Sequence, residues 1–203
     1  MFPGTLYRLS AWAAVLSGLL IIIKKMIVEL LLPLNPITNA VGSFGLFLGL
    51  FALTGLYVYQ REASGTFGLI GYLVNWFGLA FVSGVDYAKL YILPYMSQNE
   101  IQTLLAGPTR LVFLSCAIFF LVGVILFSAA SWRARIFPRL AIVLYMLGFT
   151  LYSLSFFLPV LVVRIAETGG ALGVIWLGYA TLIDLKRTTT TTQPGQAIEM
   201  GTL

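Results

Sequence analysis

Histidine is absent from the 203 residues of this chain. That absence removes Ser-His and Cys-His catalytic arrangements, HExxH zinc sites, histidine ligation of haem and the usual side-chain switch near neutral pH. Cysteine occurs once, as Cys116, so no internal disulfide, CxxC redox pair or thiolate metal cluster can form. Charge is scarce as well: Asp, Glu, Lys and Arg make up 9% of the residues, against about a quarter in a soluble domain. A water-soluble fold of this size could not cover its core with so few polar groups. No catalytic residue and no metal ligand is assigned, no cofactor is expected, and the chain is expected not to be an enzyme.

Apolar residues fill the space that charge leaves. They account for 60% of the chain, the mean hydropathy is +0.97, and the few charges gather in short patches between apolar stretches of helix length. A helix needs about 20 residues to cross ~30 Å of hydrocarbon, and only helices or closed barrels can satisfy every peptide group there. The expected fold class is therefore all-α, a polytopic transmembrane bundle with six spans at about 8–32, 39–59, 66–93, 109–131, 138–163 and 169–185. Pro33 and Pro36 around Asn35, Pro94, the pair Gly107-Pro108 and Pro138 punctuate it, in keeping with proline's preference for helix starts and its exclusion from helix interiors. Pro159 is expected to kink the fifth span. Arg8 followed by the apolar run 9–23 has the outline of a signal peptide, but Lys24 and Lys25 lead on into further apolar residues without a small-residue cleavage pattern, which reads as an uncleaved first helix.

Residues 1–187 form one expected domain. After Arg187 the composition turns to threonine, Gln193, Pro194 and Gly195, a stretch with no apolar period to pack and so expected to be a disordered cytoplasmic tail over 188–203. Orientation follows the excess of Lys and Arg near short loops. With the N-terminus inside, Arg8, Arg61, Arg133, Arg135, Arg139, Lys186 and Arg187 are cytoplasmic, whereas the outer connections carry Arg164 and the outer helix ends Lys24, Lys25, Lys89 and Arg110. Both ends are therefore expected in the cytoplasm. No basic run is long enough to track a phosphate backbone, so nucleic acid is not an expected partner.

Charge concentrates at the outer helix ends. Lys24, Lys25, Glu29, Asp86, Lys89, Arg110 and Arg164 all fall in that layer, with Glu167 nearby. One reading has the basic chains snorkelling to lipid headgroups and pairing within their own helices, as Lys25 with Glu29, Asp86 with Lys89 and Arg164 with Glu167. The other has them converge on an outward-facing pocket for a small or anionic ligand or a lipid headgroup, with Arg110 as its centre. Arg110 opens a helix, where the dipole disfavours a cation, so it should need Asp86, Glu29 or a bound anion.

At mid-depth Tyr72, Asn75 and Trp76 stand on the third span, where a lone amide is more often interhelical glue than part of a path. Trp176 is expected to pack in the core, and Cys116 to be a small buried apolar residue. Gly45 with Gly49, Ala80 with Gly84 and Gly169 with Gly173 have the small-xxx-small spacing that lets helix backbones approach. Phe67, Gly78 and Ser83 reappear 70 residues on as Phe137, Gly148 and Ser153, a weak echo of a duplicated hairpin.

Two inner loops complete the pattern. Ser131 to Arg139 sets three arginines among aromatics, which suits an anionic leaflet. The connection from Tyr59 through Gln60, Arg61, Glu62, Ala63, Ser64, Gly65 and Thr66 to Gly71 resembles one found in small multi-pass bacterial membrane proteins. The resemblance covers about 30 residues, implies a bacterial cytoplasmic membrane, and brings no activity and no site residues with it. The functional expectation is a non-enzymatic bundle that binds or passes an outer-leaflet ligand, with lipids as partners. The alternative is a structural subunit that assembles with other membrane subunits or copies of itself. A lipid-modifying enzyme, relying on Glu29, Asp86 or Asp184, ranks below both.

Overall fold

A computed structural model of the protein describes residues 3–32 and 35–191. The described residues are helical almost throughout, with no strand among them. The chain runs through α1 (Pro3–Ile23), a π-helical turn (Lys24–Val28), α2 (Glu29–Leu31), α3 (Pro36–Tyr91), α4 (Gln98–Ala106), α5 (Thr109–Ala134), α6 (Arg139–Ser153) and α7 (Val160–Thr191). Three helical segments, Ile37–Tyr95, Thr109–Ala134 and Val160–Lys186, are long and apolar enough to cross a membrane, and Arg139–Ser153 is a shorter apolar helix.

The 56 residues of α3 fold back on themselves at Gly65. This residue alone leaves helical geometry, at φ 57° and ψ −152°, a conformation open to glycine because it has no Cβ. Its two arms, 36–64 and 66–91, each about 40 Å long, lie side by side. Thr54 and Tyr72 pair hydroxyls at 3.2 Å, and Ser43 donates to Tyr91 at 3.4 Å. The connection expected over 60–65 is therefore the last helical turn of one arm and a single glycine. Asn35 caps the first arm, accepting from the N–H groups of Ile37 and Thr38 at 2.9 Å while Thr38 accepts from the Asn35 N–H, the reciprocal capping box.

The expected fifth and sixth spans need correction. The helix that begins at Arg139 stops at Ser153, a turn occupies 154–159, and α7 begins at Val160 directly after Pro159. Proline without an N–H is tolerated at a helix start and not in its interior, so Pro159 separates two helices rather than kinking one. The turn lies ten residues earlier than expected, and 164–168, read as a loop, is regular helix within α7. The tail boundary also shifts: α7 continues to Thr191, and the rest of the expected tail, like Pro33, lies outside the described residues.

Six rods, counting the two arms of α3 separately, close into a ring in chain order. α1 packs on the first arm and on α7, the second arm on α5, α5 on α6, and α6 on α7. All six touch a central void of only about 30 Å³, lined by apolar side chains and by Ser17. The Ser17 hydroxyl already donates to the Gly45 carbonyl at 2.7 Å, so nothing in the void calls for water.

Close approach at glycine sets the seams, and it does so in a repeated register. A Cβ on Gly78 would strike the backbone at Phe119 and Phe120, and one on Gly123 the backbone at Val74 and Asn75. In the next hairpin a Cβ on Gly148 would strike Gly170, and one on Gly173 would strike Tyr145. The outgoing arms correspond at a shift of 70, as in the sequence echo, and the returning arms at a shift of 50, the short helix α4 occupying the difference. Asn75 and Tyr145, equivalent under this shift, touch each other: the Asn75 amide donates to the Tyr145 hydroxyl at 2.7 Å. Two equivalent residues in contact must sit beside the axis relating the two hairpins. Of the predicted small-residue positions, Gly45, Gly49 and Gly173 do pack on neighbouring helices, whereas a Cβ on Gly84 or Gly169 would meet nothing within 4 Å. Ala80 is half-buried and Gly84 exposed.

Gly123→Ala and Gly173→Ala should each cost about 1–3 kcal/mol by forcing helices apart. Gly84→Ala should be neutral or stabilise by up to ~1 kcal/mol through helix propensity. Unfolding midpoints in mixed micelles measure both. On α4, Glu100 accepts from the Ser97 hydroxyl and N–H, both at 2.7 Å, which holds its carboxyl below the ordinary value. The ionised cap should thus support α4 above the ordinary carboxylate range and lose that support as pH falls through the depressed value. Carboxyl NMR should show the depression in the native chain and its loss in Ser97→Ala.

Candidate functional site: the outer ionic layer and its cleft

α1 departs from α geometry at a five-residue π turn that carries both of its lysines. Such turns often occur at functional sites because they redirect side chains that a regular helix would fan out. Lys24 is 6% exposed and its stem passes over Gly42, where any Cβ would overlap it. Asp86, on the second arm of α3, accepts from the Tyr152 hydroxyl at 2.9 Å.

A second string of charge runs alongside. Lys25 Nζ lies 2.9 Å from Glu29 Oε1 and 3.0 Å from Glu167 Oε2, and Arg164 lies 3.6 Å from the other oxygen of Glu29. Glu167 is 6% exposed. Lys25 and Arg164 thus pair with Glu29 and Glu167 across two helices. Buried ions stripped of water cost several kcal/mol each unless paired with good geometry. This layer ties α1 to the start of α7, and the bond from Tyr152 to Asp86 ties α6 to α3.

The sequence-predicted site therefore divides. Lys24, Lys25, Glu29, Asp86 and Arg164 come together in this layer. Of the three intrahelical pairs, Lys25 with Glu29 forms; Asp86 turns to Tyr152 instead of Lys89, and Arg164 to Glu29 instead of Glu167. The shift of the outer turn to 154–159 is the cause, because it places Arg164 and Glu167 on a helix wall facing α1. Lys89 is exposed and lies 5.5 Å from the centre of the Phe156 ring. Arg110 is exposed at the start of α5, and neither cation has an acid within salt-bridge distance among the described residues. The expected partnership of Arg110 with Asp86 or Glu29 is thus not formed.

Arg110 instead lines an outer cleft of about 360 Å³ with Leu105 of α4, Phe113 and Leu114 of α5, and Phe156 and Phe157 of the turn before α7. It is the sole charged side chain in that wall. Lys89 touches the same Phe156 ring but does not line this cleft. Behind it, a void of about 30 Å³ is lined by Lys89 together with Asp86, Cys116 and Tyr152, room for about one water.

Elsewhere the picture is structural. Asn75 is fully buried and joins α3 to α6, Tyr72 stacks on Tyr57 at 4.4 Å, and Trp76 sets an edge against Phe77. Cys116 is buried. Trp176, expected in the core, faces outward at 38% exposure, since the glycines and alanines of α7 take the inward positions. Sequence reasoning missed Tyr145 and Tyr152, whose hydroxyls collect the buried amide and carboxylate. It also missed Tyr59, which donates to Asp184 at the opposite end, far from Glu29 and Asp86. Gln60, placed in a loop, is fully buried with neither amide atom hydrogen-bonded among the described residues.

Lys25→Ala should cost about 3–5 kcal/mol by leaving the buried Glu167 unpaired, and Glu167→Ala less, because Lys25 keeps Glu29 at 2.9 Å. The double variant should cost less than their sum by at least ~1 kcal/mol, as read from a double-mutant cycle of unfolding in micelles. Compared with protein-family profiles, with curated proteins and with solved structures, the chain matches none.

Proposed function

We propose that this protein is a six-span integral membrane bundle, with both ends on the cytoplasmic side, that binds the headgroup of an anionic lipid at its outer end and catalyses no reaction. The observation that carries the reading is the outer cleft, where Arg110 stands in an otherwise apolar and aromatic wall with no acid to neutralise it. A cation at a helix N-terminus is opposed by the helix dipole, and a phosphate bound there reverses that penalty. Lys89 beside Phe156 adds a second positive charge, while the phenylalanines and leucines offer acyl chains an apolar bed. In the ionic layer Lys25 and Arg164 are already paired with Glu29 and Glu167, which makes it a brace for the site rather than the site itself.

A permeation path is less well supported, because the void at the centre of the ring is small and lined almost wholly by apolar groups. A structural or assembly subunit is the second reading, favoured by the open positions at Gly84 and Gly169, which leave room for another helix or a second copy.

Native mass spectrometry of the full chain should show phosphatidylglycerol retained in preference to phosphatidylcholine. Arg110→Ala should weaken that retention about fivefold, the equivalent of ~1 kcal/mol per basic residue. Inorganic phosphate that displaces the lipid at millimolar concentration would transfer the site to a soluble anion. Equal retention in the native chain and Arg110→Ala would remove the cleft as a headgroup site.

A further inference from the structure

The inner ends of α5 and α6 carry a second concentration of unneutralised charge. α5 ends at Arg135, which adopts the left-handed conformation at φ 56° and returns its N–H to the Ser131 carbonyl at 3.3 Å. The reversal is pinned by Phe137, only 5% exposed and packed in the core beside Tyr59. Arg133, Arg135 and Arg139 are thereby held at one end of the seam between the two helices. Arg133 lies over the Phe67 ring at 5.5 Å and Arg139 over the Trp132 ring at 5.2 Å. None of the three has an acid within salt-bridge distance among the described residues.

Directly beside these arginines the seam opens into a groove of about 430 Å³. Its walls are Ser128, Ala129, Trp132 and Arg133 of α5 and Ile142 and Met146 of α6. Ser128 is 1% exposed, and its hydroxyl has no hydrogen-bond partner among the described residues. A buried hydroxyl without a partner is costly, and here it sits in the groove wall one turn from Arg133. Toward the middle of the bundle the seam is shut by rings, Phe127 on Tyr145 at 6.0 Å and Phe120 on Phe149 at 5.9 Å. The groove is therefore a slot with a cationic mouth and an apolar bed.

We infer that this slot binds a phospholipid of negative headgroup charge from the leaflet at the arginine end. Its phosphate would lie against Arg133 and Arg139, and the first part of an acyl chain would lie along Ile142 and Met146. Guanidinium groups suit phosphate because their fixed fork of donors matches its oxygens. A soluble anion would gain nothing from the apolar bed, and a zwitterionic lipid would gain less from three uncompensated arginines. The ring plug separates this slot from the outer cleft, so the two lipid sites are independent.

Native mass spectrometry of the full chain, titrated with phosphatidylglycerol or phosphatidylcholine, tests the inference by counting bound lipids. The native chain should retain phosphatidylglycerol at this slot in preference to phosphatidylcholine. The Arg133→Ala/Arg139→Ala variant should weaken that binding tenfold or more, at about fivefold per arginine near an anionic surface. Ala129→Phe, which fills the slot and leaves each arginine in place, should expel the lipid, and Arg110→Ala should leave this lipid bound. Arg61→Ala, at the same end but beside Glu62, should change retention less than twofold. Undiminished binding in Ala129→Phe, or an equal loss in Arg61→Ala, would overturn the slot in favour of diffuse charge. A single lipid lost in both the double variant and Ala129→Phe, and kept in Arg110→Ala, would uphold the slot while discarding the outer cleft.

Discussion

Polar groups in this bundle have to find their partners inside the chain, because the surface they would otherwise face is apolar. Leucine, isoleucine and phenylalanine are exposed along every long helix, while Lys24, Asn75, Gln60 and Glu167 are buried. That inversion of the soluble pattern is what hydrocarbon surroundings require, since an unsatisfied peptide or side-chain dipole costs several kcal/mol there. The consequences are visible at each level. Backbone groups are used up in helices, and Ser83, Ser153 and Thr181 return their hydroxyls to carbonyls four residues back. Buried Glu167 pairs with Lys25 across helices.

Association of such helices cannot draw on the hydrophobic effect, so it depends on how closely backbones approach. The glycines that matter are those facing another backbone, and their spacing in the two hairpins preserves one register through shifts of 70 and 50 residues. Gly78 against Phe120 and Gly148 against Gly170 occupy the same place, as do Gly123 against Asn75 and Gly173 against Tyr145. The Asn75 to Tyr145 bond joins the two hairpins inside the ring. With the interior committed to packing, the proposed lipid sites fall at the rims, where charge is not balanced.

Much of the architecture is legible in the sequence because composition speaks directly to it. Apolar runs and proline punctuation locate most helices, and the small-xxx-small pattern at Gly45 and Gly49 finds a true seam. The break after Ser153 escapes because residues 154–163 are as apolar as the helices around them. Only Pro159 marks the change, and hydropathy does not distinguish a kink from a turn. The ionic layer is foreseeable as a set of residues but not as a network, since pairing across helices depends on which face each charge presents. The π turn at Lys24 and the one-residue reversal at Gly65 alter those faces without leaving a compositional trace. Arg110 stands out in the sequence as a cation in an awkward place, yet the acids expected for it are already committed to Lys25, Arg164 and Tyr152.

The central claim is that the two arms of α3 cross an apolar layer in opposite directions, which puts the residues near Gly65 and those on α4 on opposite faces. Single cysteines at Glu62 and at Glu100, in a chain whose Cys116 is replaced by alanine, can be probed with a membrane-impermeant maleimide in intact cells and in inverted vesicles. Residue 100 should react from outside and residue 62 only from the cytoplasmic side. Labelling of both positions from the same side would contradict the antiparallel crossing.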